Sequence, residues 1–160
     1  RAAERTFQLV RQVAGRAGRA GKPGLALLQT HQPEHAVISA ILSGDEVGFW
    51  NAEAGAREVA AVPPFGRLAG IIISASDAEA AFDLGNHLAR QKAPLESIGA
   101  QVYGPAPALI ARVRGRFRVR LLIKATKTAL LQKAISQWLQ QVKLPNDIRL
   151  SVDIDPQTFL

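Results

Sequence analysis

Gln12-Val-Ala-Gly15-Arg16-Ala-Gly18-Arg19 places two arginines one short turn apart beside two glycines. A guanidinium is always charged and presents a planar fork of donors, so a pair at this spacing suits contact with phosphate oxygens. Glycine lets backbone come close to a ligand or to a neighbouring lobe. Arg16 and Arg19 are therefore the first candidates for phosphate chemistry.

A second group of cations lies further along. Between Glu96 and Asp147 there is no acidic residue, and that interval holds Arg112, Arg114, Arg116, Arg118, Arg120, Lys124, Lys127, Lys133 and Lys143. The rest of the chain carries eleven basic and thirteen acidic residues. The net charge of +7 thus comes from one block, and a one-signed block in a foldable sequence suggests a polyanionic partner, most often nucleic acid. Arg116, Arg118, Arg120 and Lys124 alternate with Phe117, Val119, Leu121 and Ile123, which on a strand sends the bases to one face and the apolar residues to the other. Arg112 and Arg114 are expected to extend the strip through the preceding loop, with Gly115 at the bend. The ribbon would span about 25–30 Å at about 3.3 Å per residue. Asp153 and Asp155 on the last strand are too few to neutralise it. Trp50 and Tyr103 are the exposed aromatics expected, both away from the strip, so recognition should depend on backbone charge and shape.

The elements that must hold these groups follow from hydrophobic period and caps. Residues 3 to 20 read as a helix, and Gly24–Thr30 as a buried parallel strand. Pro33 opens a helix that stops at Gly44, and Asp45 caps another running to about Ala60. Leu68–Ser74 is the next strand, followed by a helix capped by Ser76 or Asp77. Ser97–Tyr103 forms a strand that ends in a Gly104–Pro107 loop, and Arg116–Lys124 forms the third. Thr126 caps a helix with Leu130, Leu131, Ala134, Ile135, Trp138, Leu139 and Val142 along one stripe, and Ile148–Ile154 closes the set. The fold class is α+β. A βαββαβ order predicts a four-stranded antiparallel sheet of ferredoxin-like type, with two helices on one face and the other face open. Three parts are expected: 1–30, a helical connector at 31–64, and the sheet domain at 65–160.

Composition sets limits on function. With 48% apolar and 21% charged residues among 160, the chain can bury an ordinary core. No apolar run approaches the roughly 20 residues of a membrane span. The absence of cysteine excludes disulfides and thiolate metal sites and fits a cytoplasmic protein. His31 and His35 have Pro33 between them and no fixed acidic third ligand, so no metal site is expected. No P-loop is present, and the chain reads as a piece of a larger protein that is not expected to hydrolyse ATP alone.

The pattern Q-x-x-G-R-x-G-R resembles the last motif of superfamily 2 helicases. Four later segments make the resemblance more specific: Pro63-Pro-Phe-Gly66, Gly104-Pro-Ala-Pro-Ala108, Arg114-Gly-Arg-Phe-Arg-Val-Arg120 and Val152-Asp-Ile-Asp-Pro156. In this order they resemble the bacterial primosomal replication-restart helicases, the PriA family. The resemblance implies a monomeric ATP-dependent 3′-to-5′ DNA helicase that recognises stalled forks and displacement loops and helps to reload the replicative helicase. It makes Arg16 and Arg19 arginine fingers toward ATP and magnesium, with Gln12, Gly15 and Gly18 beside the nucleotide. Residues 1–30 would then be the end of the second motor lobe. The sheet domain would resemble a small ribosomal-subunit protein and bind DNA. Zinc would belong to cysteines upstream of this chain. The family also binds the acidic tail of single-stranded-DNA-binding protein; Gln132 matches a position of that site, while the basic residue expected four positions earlier is Thr128, with Lys127 alongside. Two rivals stand beside this account: an RNA-binding module, and a docking domain for an acidic partner tail.

Overall fold

The computed structural model describes residues 2–17 and 24–157. The chain divides into two compact units, 1–56 and 57–160.

The first unit contains α1 (Ala2–Ala14), α2 (Ala36–Ser43) and most of α3 (Glu46–Val59). Its small core is aromatic: Phe7 stacks on Phe49 with ring centroids 4.2 Å apart, and Trp50 meets both rings edge-on. Val37 of α2 completes the buried set. Asp45 caps α3 as its position predicts, Oδ1 accepting from the Gly48 N–H at 2.8 Å. His35 caps α2, its Nδ1 accepting from Val37 N, so α2 begins three residues after Pro33. The helix expected over 3–20 closes at Ala14, and Gly15–Ala17 form a turn. The strand expected over Gly24–Thr30 is not formed. Its leucines face water, Leu25 at 81% and Leu27 at 89% exposure. A parallel strand exists only through neighbours on both sides, and no described strand lies beside this one.

The second unit holds β1 (Gly66–Ala75), α4 (Ala78–Arg90), the short α5 (Ala93–Glu96), β2 (Gln101–Val113), β3 (Arg116–Thr126), α6 (Leu131–Gln140) and β4 (Arg149–Ile154). The sheet is wholly antiparallel in the order β2-β3-β1-β4, the ferredoxin-like arrangement that the βαββαβ order predicts. Ile71 and Ile73 of β1 and Val119, Leu121 and Ile123 of β3 point to one face. There they meet Leu84 and Leu88 of α4 and Leu131, Ile135 and Trp138 of α6. Alternation therefore leaves the opposite face uncovered by helices.

Two local expectations are corrected. Gly104–Pro107 is not a loop but part of β2, which runs on to Val113. Proline lacks the N–H that an inner strand must donate, and β2 is an edge strand whose register shifts at Tyr103/Ala106, so the ring is tolerated. The same stretch packs closely on α4: a Cβ on Gly85 would lie 2.8 Å from Pro105 Cβ. Thr126 does not cap α6 but ends β3; α6 begins at Leu131, after Leu130, which makes no side-chain cap. Leu130 consequently lies 66% exposed, off the predicted stripe, while Leu131 and Trp138 are fully buried.

Candidate nucleic-acid interface

The open face is built by three strands. Outward positions on β3 are Arg116, Arg118, Arg120, Leu122 and Lys124, since Val119, Leu121 and Ile123 between them are buried against the helices. Register then fixes their neighbours. Arg118 pairs with Ser74 of β1, and Ser74 pairs in turn with Arg149 of β4. Arg120 lies beside Ile72, which pairs with Ser151. Leu122 lies beside Gly70, which pairs with Asp153.

The β2–β3 turn consists of Arg114 and Gly115, both at positive φ (48° and 79°). That is the two-residue hairpin connection whose twist suits antiparallel strands, and Gly115 supplies one of its left-handed positions without a Cβ penalty. The hairpin also decides where the flanking arginines go. Val113 pairs with Arg116, and Arg112 pairs with Phe117. Arg112 therefore shares the face of Phe117, with its guanidinium 4.9 Å above that ring. It does not extend the strip as its spacing suggested, because the turn is too tight to leave it in a loop. Arg114, Arg116, Arg118 and Arg149 instead line one depression of about 450 Å³ together with Ser74 and Ser151.

Arg116 has a structural task within that depression. Its Nη1 donates to Asp147 Oδ1 at 3.0 Å and its Nη2 to the Ser74 carbonyl at 2.9 Å and to the Asp147 carbonyl. Asp147 also accepts from Ser76, from the hydroxyl at 2.6 Å and the backbone N–H at 2.8 Å. These donors, the Ser76 hydroxyl first, then its N–H and then Arg116, hold the Asp147 carboxyl down at about 2. Asp155 is occupied elsewhere, by Arg67 Nε at 2.7 Å and Leu68 N at 2.9 Å. Among the described residues, no ion pair reaches Arg114, Arg118, Arg120, Lys124 or Arg149.

Two residues of this face were not foreseen there. Arg149 lies beyond the acid-free interval, so a scan for one-signed runs passes over it; the outward parity of β4 would have found it. Tyr103 pairs with Leu122 and so lies on the open face, 48% exposed, with its hydroxyl donating to Gln101 at 2.6 Å. The basic strip therefore has an aromatic neighbour. Trp50, by contrast, is engaged with Phe7 and Phe49.

The other singled-out residues fall in separate places. Lys127 lies exposed in the turn after β3, and Gln132 lies exposed in the first turn of α6, with the exposed Leu130 between them in sequence. Gln12 lies exposed near the end of α1, and Gly15 and Arg16 lie in the turn that follows, Arg16 exposed. Gly18 and Arg19 are outside the described residues. Among the described residues the motif offers the exposed Arg16 as a cation, and no hydrolytic step is assigned to this chain. A larger depression of about 730 Å³ lies on the helical layer, but it mixes Asp83 with His87, Arg90 and Lys143 and is not one-signed. No helix among the described residues is long and apolar enough to cross a membrane.

Over its whole length the chain is similar to proteins named "Replication restart protein PriA". It is 38% identical to that of Rickettsia typhi over 99% of the chain and 24% of the relative. For Treponema pallidum the identity is 33% over 100% of the chain and 24% of the relative, and for Bacillus subtilis 31% over 100% of the chain and 20% of the relative. The chain thus spans about a quarter of the length of the first two relatives. Residues 58–157, which include the whole sheet and both of its long helices, match the family model described as the primosomal protein N C-terminal domain. The chain belongs to that family.

Proposed function

We propose that this chain is the C-terminal segment of an ATP-dependent 3′-to-5′ DNA helicase that recognises stalled or branched replication forks and restarts replication by promoting primosome assembly. Its part in that work is to hold fork DNA on the open face of the sheet. The observation that carries this reading is the open face itself: five cations without ion pairs among the described residues, Arg114, Arg118, Arg120, Lys124 and Arg149, on or beside strands whose other side is fixed in the core. The names of the relatives support the same direction. In the full-length protein Arg16 and Arg19 would reach the ATP and magnesium held by the rest of the motor, with Gln12, Gly15 and Gly18 beside the nucleotide; zinc would be held upstream. This chain alone is not expected to turn over ATP.

Docking of the acidic tail of single-stranded-DNA-binding protein is a second reading, supported by one observation. Lys127, the exposed Leu130 and Gln132 offer a base, an apolar surface and an amide within one short segment, which suits a tail that is acidic and ends in an apolar side chain.

The test is fluorescence anisotropy of a labelled fork with an arrested leading strand, titrated at several salt concentrations with duplex and structured RNA as competitors. Neutralising about five phosphates gives a slope near −4.5 in log K against log salt. Fork binding with that slope and poor competition by RNA supports the proposal. Effective competition by RNA favours an RNA-binding module, and no fork binding at low salt leaves the acidic-tail reading.

A further inference from the structure

Alternation along β3 suggests that a nucleic-acid backbone follows that strand. The register of the sheet assembles a denser line of charge at right angles to it. Arg118, Ser74 and Arg149 are consecutive cross-strand neighbours on β3, β1 and β4. With adjacent strands about 4.8 Å apart, the two arginine Cα atoms stand about 10 Å from each other, with only a hydroxymethyl group between them. Arg114 approaches from the hairpin turn, and Ser151 lies one row away on β4. Arg116 forms a wall of the depression, its guanidinium fixed by Asp147 and Ser74. The Ser74 hydroxyl receives the Arg116 Nε–H at 3.5 Å, so its own proton remains to be donated outward.

The path along β3 is poorer. Beyond Arg120 the next outward residue is Leu122, in a row whose β4 member is Asp153. A backbone running that way crosses an apolar gap and passes near a carboxylate before it meets Lys124.

We propose that the row Arg118–Ser74–Arg149 is a phosphate subsite in which one backbone phosphate of the bound nucleic acid sits over Ser74, forked between the two guanidiniums. The backbone then crosses the strands and leaves over the β4 edge, and Arg116 acts as a positioning residue that keeps the wall rigid. The subsite rests on the reading that the open face binds DNA, and it adds a residue, Arg149, and a direction.

The test uses this chain, the same labelled fork and Arg118→Gln, Arg149→Gln, the double variant, Lys124→Gln and, as a charge-matched control on the helical layer, Arg90→Gln. A charge-assisted hydrogen bond of this kind corresponds to about a tenfold loss of affinity for each of the two row arginines. Because both hold one phosphate, the double variant loses less than the product of the single losses. Lys124→Gln loses less than Arg149→Gln, and Arg90→Gln binds as the parent chain does. Arg149→Lys keeps the charge without the fork and falls between parent and Gln, a ranking that persists even where Arg149→Gln lowers the melting temperature. A loss for Lys124→Gln equal to or above that for Arg149→Gln, or strictly multiplicative losses in the double variant, overturns the subsite while leaving the DNA-binding reading intact. No fork binding by the parent chain overturns both.

Discussion

Replacing Trp138 tests the core on which the open face depends. It is the largest fully buried side chain in the second unit, and its Nε1 donates to the Leu88 carbonyl of α4 at 3.1 Å, which ties α6 to α4. Truncation to alanine removes the whole ring and should cost about 3–5 kcal/mol. Phenylalanine refills much of the volume but loses the indole N–H. Leu88 O also accepts from Gln91 N at 3.1 Å, so that carbonyl is not left unpaired. The hydrogen-bond share is then only about 0.5–1.5 kcal/mol, and the total loss for Trp138→Phe should be about 1–2 kcal/mol once the smaller ring is counted. The assay is urea unfolding followed by circular dichroism, with Trp50 remaining as a fluorophore for the first unit. At about 1–3 kcal/mol per molar urea, the alanine midpoint falls by about 2 M and the phenylalanine midpoint by less than half of that. An alanine variant that loses under about 1 kcal/mol would refute the packing of α6 against the sheet and α4, since no fully buried tryptophan is that cheap to truncate.

Three further outcomes are expected. In an open helix Gly85→Ala would stabilise by about 0.8–1.0 kcal/mol; here the new methyl meets Pro105 at 2.8 Å, with Val119 at 3.5 Å, so a net destabilisation of about 1–2 kcal/mol should appear in the same urea assay. Asp147 has its carboxyl lowered from 3.8 to about 2 in the folded chain, so its contribution is complete above 3.8 and is lost as the pH falls toward 2. Acid titration of Asp147→Asn beside the parent chain should show two stability curves that differ at neutral pH and converge through that window. Tyr103→Ala should weaken binding of a fork with single-stranded arms by about 1–3 kcal/mol, the worth of one stacked base, and leave duplex affinity unchanged in anisotropy.

Most of the second unit was legible because its signals are local. The alternation from Phe117 to Lys124 gave both faces of β3, the apolar spacing from Leu131 to Trp138 gave the buried stripe of α6, and Asp45 and the pair Ser76 or Asp77 gave two helix starts, which Asp45 caps at 2.8 Å and Asp77 at 2.9 Å. What escaped depends on partners distant in sequence. Pro105 and Pro107 look like a loop until β2 is known to be an edge strand. Gly24–Thr30 has the composition of a strand, but a ladder is made by neighbours, and none is present among the described residues. Arg112 and Arg149 exchanged roles for the same reason: register, not spacing, sent the first to the Phe117 face and the second to the open face. Gly18 and Arg19, proposed to lie toward the nucleotide, fall outside the described residues, so that proposal rests on the motif.

The most direct test of the account is an amide chemical-shift map of this chain on addition of the arrested fork. The account predicts that the largest shifts cluster at Ser74, Arg114, Arg118, Arg149 and Ser151, with little change at Asp83, Arg90 and Lys143 on the helical layer. Shifts concentrated on those helical residues, or around Lys127 and Gln132, with the sheet unchanged, would contradict it.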